Sequence, residues 1–338
     1  MKQTIPNVLA IALRDFFADY LPRLRGMSPH TVLSYRDTFA LLLRFVAMTK
    51  SRPAYTLDLE DLGPSEVLAF LNHLEIGRHN AASTRNVRLA GLHAFFRYVA
   101  SHYPDRLAHS QQVLGIPFKR SPTRQIEYFT FEEMGALLSG IDRSSKRGQR
   151  DYALLAVMFN TGARVQELLD LRPRDLRLTK PFQVRLFGKG RKERLCPVWP
   201  QTACLMRELC TANQLDMQSD TPVFANYRGE PLTRFGVRYI LTKHLVRART
   251  GAPTLTNKRL HPHSVRHSTA VHLLKSGVDL CTISHWLGHA SLNTTNKYAK
   301  IDMEMKREAI ARAKTLGAVK KKSAHWHRNT VLEWLEAL

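Results

Sequence analysis

From Val8 to Leu24 the apolar residues Leu9, Leu13, Phe16, Phe17, Tyr20 and Leu21 return every three or four positions, the spacing that gathers side chains on one face of a helix. A chain patterned this way must bury that face against other helices. The pattern recurs after Ser28-Pro29, a cap and a first-turn proline ahead of Val32, Tyr35, Phe39, Leu42, Leu43 and Val46. Ser65 precedes Val67, Leu68, Phe70, Leu71 and Leu74, and Ser83 precedes Val87, Leu89, Leu92, Phe95, Phe96 and Val99. These segments predict a small all-helical bundle over residues 1–107.

Periodicity lapses between Ala108 and Glu127, where Pro117, Lys119, Arg120, Pro122 and Arg124 collect, so an exposed basic linker is expected over 108–127. Order resumes at Thr130, which with Glu133 has the spacing of a capping box and opens a helix through Met134, Leu137 and Leu138. Tyr152–Thr161 reads as a further helix ended by Gly162. Phe182, Val184 and Leu186 alternate with polar residues before Gly188-Lys189-Gly190, and Leu195 and Val198 lie on the return, which predicts a β-hairpin. Asp279 and Gly288 bracket a short capped helix. The expected fold is mainly α with a small β-sheet, its second domain spanning 128–316. A tail at 317–338 carries Val331, Trp334, Leu335 and Leu338 at helical spacing.

Lys and Arg total 51 against 28 Asp and Glu, a formal charge of +23, which points to a partner dense in phosphate. The longest strongly apolar stretch, Tyr152–Phe159, falls far short of the roughly 18 residues a membrane span needs, so no membrane partner is expected. Arg14 and Asp15 follow the apolar run Val8–Leu13 at once, which reads as an amphipathic helix and not a signal peptide. Cys196, Cys204, Cys210 and Cys281 fit neither paired zinc ligands nor a disulfide framework, and a reducing, cytoplasmic setting is expected.

Four segments of the second domain combine cations with a nucleophile: TGARVQELLDL around Arg164, FGKGRKER around Lys189, HPHSVRH from His261, and LGHASLNTTNKY ending at Tyr298. In these the chain resembles the tyrosine recombinases of the phage-integrase and Xer type, from about Ile5 to Lys300. Their catalytic domain carries an Arg, a hairpin Lys, a His-x-x-Arg pair, a His and a Tyr in that order, here Arg164, Lys189, His263, Arg266, His289 and Tyr298. The resemblance implies an N-terminal SAM-like core-binding bundle and a mixed α/β catalytic domain closing as a clamp on double-stranded DNA with inverted-repeat arms. It implies a homo-oligomer, a dimer on one site and a tetramer in synapsis, exchanging strands through a Holliday junction, with companion recombinases in some systems. It also implies C-terminal helices that dock into a neighbouring protomer. The setting expected is a mobile element, a phage or chromosome resolution, with the protein cytoplasmic and nucleoid-associated.

The chemistry is arguable from the residue types. Breaking a phosphodiester without a metal needs a nucleophile, stabilisation of charge on two non-bridging oxygens, and an acid for the leaving 5′ oxygen. Arginine's fork donates two parallel hydrogen bonds and stays charged, so Arg164 and Arg266 suit the phosphate. Tyr298 would attack phosphorus and conserve the bond energy as a phosphotyrosine, with no ATP and no other cofactor. A tyrosine's ordinary pKa near 10 calls for a base or a cationic pocket, and His263 is the candidate base. By its residues alone Lys189 could be a phosphate-contacting hairpin tip and Glu167, three residues after Arg164, an exposed i, i+3 pair; the resemblance implies that Lys189 is the acid and that Glu167 orients Arg164. His261, His263, His267 and His272, with His285 and His289, invite a zinc reading. It fails on detail: Trp286 stands where a zincin helix needs Glu, and no carboxylate or cysteine set completes a ligand shell. Two other functions fit the same residues less well, a type IB topoisomerase-like relaxing enzyme and a catalytically silent architectural DNA-binding protein.

Overall fold

A computed structural model describes residues 7–121, 126–188, 192–289 and 293–299 of the chain. Two compact units divide it, Met1–Arg124 and Gln125–Leu338.

The first unit opens with α1 (Val8–Asp15), capped by Asn7, whose side chain accepts from the Ala10 amide. The single helix expected over 8–24 is corrected here. Phe16–Leu24 winds into wider π-helical turns, closed by Arg25 N–H donating to Tyr20 O at 2.9 Å. Pro22 lies inside it; it has no N–H to donate, and in an α-helix its ring would collide with the carbonyl four residues back. α2 (Pro29–Thr49) starts as predicted, with Ser28 accepting from the Thr31 amide and Pro29 in the first turn. α3 (Pro64–Ile76) and α4 (Ala82–His102) begin slightly earlier than the serines suggest, after Gly63 and Ala81, so Ser65 and Ser83 lie inside the first turn. Phe16 and Phe39 both meet Phe95 edge-on, at 5.3 and 4.9 Å between ring centres, and these rings anchor the core.

The expected linker at 108–127 is also revised. Leu107–Leu114 forms α5, and its Val113, with Ile116 just beyond, is buried in the first core. Ser110 and Val113 are its only buried positions, too few to register as a period in sequence. At the other end of the stretch, Ile126 packs on a cluster of the second unit.

In the second unit Thr130 and Glu133 form the predicted capping box at the head of α6 (Phe131–Ser139). α7 (Lys146–Thr161) is buried along most of its length, and α8 (Val165–Leu169) follows after a tight turn. The hairpin pairs β2 (Gln183–Phe187) with β3 (Glu193–Pro197), Val184 opposite Cys196, and β1 (Leu176–Arg177) adds a third antiparallel strand in the order β1-β2-β3. The inward residue of β3 is Cys196, and Leu195 beside it is exposed. α9 (Pro200–Ala212), α10 (Arg234–Ala248), α11 (Pro262–Lys275), α12 (Leu280–Leu287) and α13 (Asn293–Ala299) complete the α-helices among the described residues. Asp279 caps α12 by accepting from the Cys281 and Thr282 amides, and Gly288 ends it in the left-handed region, both as predicted. The residues of the predicted tail, 317–338, lie outside those described.

Candidate active site

Gly162 ends α7 at φ +59°, and a Cβ there would stand 2.5 Å from Leu287 Cδ2, so only glycine lets the end of α7 approach the end of α12 this closely. Around this crossing the two arginines meet. Arg266, on α11 and 1% exposed, donates from Nη1 to Gly162 O at 2.7 Å and from Nη2 to Leu287 O at 2.6 Å. Both acceptors sit at helix C-termini, the negative end of the backbone dipole. Burial, with the neighbouring Arg164 charge adding to it, lowers the Arg266 pKa to about 9, which leaves it cationic at neutral pH.

Arg164 stands at the head of α8. Its amide donates to Glu167 Oε2 at 2.8 Å, its Nη1 to Oε1 at 2.7 Å, and its Nη2 to Gly288 O at 3.2 Å. Its side chain keeps 36% exposure. Glu167 is buried, which by itself would raise its pKa, yet hydrogen bonds from Arg194 and Arg164 hold its carboxyl below the usual range. Arg194, on β3, donates from Nη1 to Oε1 at 3.0 Å and from Nη2 to Oε2 at 2.7 Å, and from Nε to Trp286 O at 2.9 Å. Arg164, Lys192, Arg194, His285, Trp286 and His289 line an open groove of about 650 Å³ beside the hairpin.

His289 follows the Gly288 turn, half-buried, with Nδ1 2.8 Å from Thr295 Oγ1. The hydroxyl of Tyr298, on α13, lies 2.7 Å from His267 Nδ1, and the ring is fully buried among Ala270, Val271, Ile283 and Leu287. Burial pushes its pKa up to about 12, partly offset by the Arg266 charge. His263 is exposed in the first turn of α11, its ring edge-on to His267 at 4.5 Å between centres. The fold therefore gathers Arg164, Glu167, Arg266 and His289 about the crossing of α7 and α12, and links Tyr298 to His267 and, through it, to His263. Lys189 lies outside the described residues. Of the histidines of the zinc reading, His261, His263 and His267 stay in a row, with successive ring centres 6.4 and 4.5 Å apart, while His272 stacks on Phe131 5.1 Å away. Among the described residues no group of three His, Cys, Asp or Glu side chains is placed to hold a metal.

Three partners escaped the sequence reading: His267, Arg194 and Thr295. His267 directly follows Arg266 and Arg194 lies five residues past Lys189, but neither spacing shows which side chain it meets.

The profile of the phage integrase family matches residues 127–305. This chain belongs to the phage integrase family. The family's N-terminal SAM-like domain matches residues 13–102, so the integrase-type pairing of a SAM-like bundle with a recombinase catalytic domain holds as predicted. The integrase is 39% identical to "Putative integrase/recombinase y4rC" of Sinorhizobium fredii, over 90% of this chain and 91% of that one. It is 32% identical to tyrosine recombinase XerD of Chlorobaculum tepidum, over 87% and 93% respectively. With these relatives it is a tyrosine-type site-specific recombinase. Its fold matches that of the Tn1549 transposon integrase in complex with transposon right end DNA, at TM-score 0.67 and 17% identity over 88% of this chain and 98% of that one. It also matches XerH recombinase bound to difH substrate, at TM-score 0.64 and 23% identity over 88% and 83%. Among the described residues no helix is long and apolar enough to cross a membrane.

Proposed function

We propose that this integrase cuts and rejoins DNA at specific sites through a phosphotyrosine on the 3′ end of the broken strand, using Arg164, Lys189, His263, Arg266, His289 and Tyr298. The observation that carries the reading is the placement of Arg164 and Arg266. They share one crossing of helix ends, Arg164 partly exposed to the groove and Arg266 bearing on Tyr298. A phosphodiester entering there meets one guanidinium directly, with a second cation behind it, which suits the doubly charged equatorial oxygens of the transition state.

The Tyr298 oxygen attacks phosphorus, forming the P–O bond to the protein while the bond to the 5′ oxygen breaks. Lys189 gives the departing oxygen its proton, and His263 receives the tyrosine's. His289 holds a non-bridging oxygen, and Glu167 keeps Arg164 oriented. Reversal of the same steps with a 5′ hydroxyl from another strand completes the exchange through a Holliday junction.

The related λ integrase has been solved as a dimer bound to a core site. By analogy this chain acts as a dimer on inverted-repeat arms and as a tetramer in synapsis, with companion recombinases where the two sites differ. The formal charge of +23 suits a DNA partner.

Tyr298→Phe tests the reading. On a nicked duplex recovered by binding from a random pool, the variant should bind as the wild type does and melt at a similar temperature, yet form no covalent protein–DNA adduct. An adduct that persists in the Phe variant removes Tyr298 as nucleophile.

A further inference from the structure

Glu167 is the one carboxylate that receives guanidinium bonds from two arginines among the described residues of the groove, and the second donor is the more deeply held. Arg194 is 11% exposed in its side chain. All three of its guanidinium nitrogens are engaged, two on Glu167 and one on Trp286 O. No nitrogen faces a phosphate unengaged. Arg164, by contrast, gives Nη1 to Glu167 and Nη2 only a 3.2 Å contact to Gly288 O.

We propose that Arg194 is a positioning residue for strand cleavage: by gripping both oxygens of Glu167 it stops that carboxylate from taking the whole fork of Arg164, which is thereby kept open to phosphate. The proposal rests on the recombinase reading above. Planar forks pair with carboxylates bidentately when nothing competes. Here Arg194 is the competitor, because its two bonds occupy a lone pair on each oxygen, and Arg164 is left with one side-chain bond and its amide bond to Glu167. A buried carboxylate with Arg164 as its sole cation would draw that side chain fully onto itself.

The same residue is a strut. It springs from β3, one side of the hairpin whose turn carries Lys189, grips α8 through Glu167, and grips the end of α12 through Trp286 O. Two of those elements lead directly to Arg164 and His289. Gly288 is fitted to it: at φ +63°, a Cβ there would lie 3.0 Å from Arg194 Nη1, so the chain turns towards His289 in the space the guanidinium leaves.

The experiment uses the full chain as wild type, Arg194→Met, Arg194→Lys, Glu167→Gln and the double variant Glu167→Gln/Arg194→Met. Duplex affinity and the single-turnover rate of adduct formation are measured on the nicked, selected duplex. Arg194→Met should bind DNA within about twofold of wild type but form adduct roughly tenfold to a hundredfold more slowly, as loss of an outer partner does elsewhere. In the Glu167→Gln background the same change should cost less than about threefold, because the carboxylate through which it acts is gone. Multiplying effects, weakened binding with a shallower salt dependence, or a wild-type rate in Arg194→Met would each overturn the proposal. If Arg194→Met does not fold, Arg194→Lys decides: a slowed rate with intact binding supports the fork argument, and a wild-type rate overturns it. A wild type that forms no adduct overturns the recombinase reading itself, and is distinguishable from all of these.

Discussion

Glu133 completes the capping box of α6 and also accepts from Lys258 Nζ and Thr254 Oγ1, both at 2.6 Å, at 3% exposure. Burial would raise its pKa, but the Lys258 and Thr254 bonds prevail and hold the carboxyl below the ordinary glutamate range. With the folded value depressed, the unfolded chain binds the proton more readily. The stability Glu133 contributes is then complete above the unfolded pKa and lost as pH falls through the folded one. Glu133→Gln, which preserves the cap, should cost about 1–3 kcal/mol near neutrality in urea unfolding. The gap from wild type should close as pH drops below the glutamate range, whereas a constant gap would assign the loss to shape and not charge. At this scale the sequence was readable where a residue's neighbours along the chain decide its role, as for Thr130 with Glu133 or Arg164 with Glu167. It was silent on His267 and Arg194, whose partners Tyr298 and Glu167 lie 31 and 27 positions away.

At the scale of elements, the facing ends of β2 and β3 come together beside Arg164. Gly188 N–H donates to Lys192 O at 2.8 Å, closing the strands around residues 189–191, and an added Cβ on Gly188 would be 3.7 Å from Arg164 Nη1. Gly188, the residue before Lys189 in sequence, thus lies beside the arginine. If Lys189 protonates the leaving oxygen, Lys189→Ala should lose cleavage of ordinary DNA and regain it on a substrate whose bridging 5′ oxygen is sulfur, since a thiolate departs without a proton. Equal loss on both substrates would reduce Lys189 to a phosphate contact. Helices with polar caps and long stripes, such as α2, α6 and α12, were plain from the sequence. The π turns, α5 and the two-residue β1 were not. The first depends on a proline tolerated only by widening the coil, and the others present too few buried positions to carry a period. Alternation placed β2 correctly but could not tell which of Leu195 and Cys196 faces inward, because both are apolar and adjacent.

Over the whole molecule, two units with separate cores were foreseen as a helical bundle followed by a mixed domain, though the basic stretch between them proved shorter than its composition suggests. All four tryptophans, Trp199, Trp286, Trp326 and Trp334, fall after residue 124, so indole fluorescence follows the second unit alone. That gives an optical handle on the crossing of α7 and α12, where Arg164, Arg194 and Arg266 crowd round the single charge of Glu167. Like charges so confined repel one another until an anion arrives. Inorganic sulfate or phosphate should therefore raise the melting midpoint read by tryptophan, the stabilisation behind it growing with the logarithm of concentration and reaching ~2.7 kcal/mol at a hundredfold excess over the dissociation constant. Glu167→Gln should sharpen the response, and a midpoint indifferent to anions would mean the cluster is already balanced. The idle protein is in this sense its own thermometer for phosphate: its warmth tolerance reports whether the groove is filled, before any strand is cut.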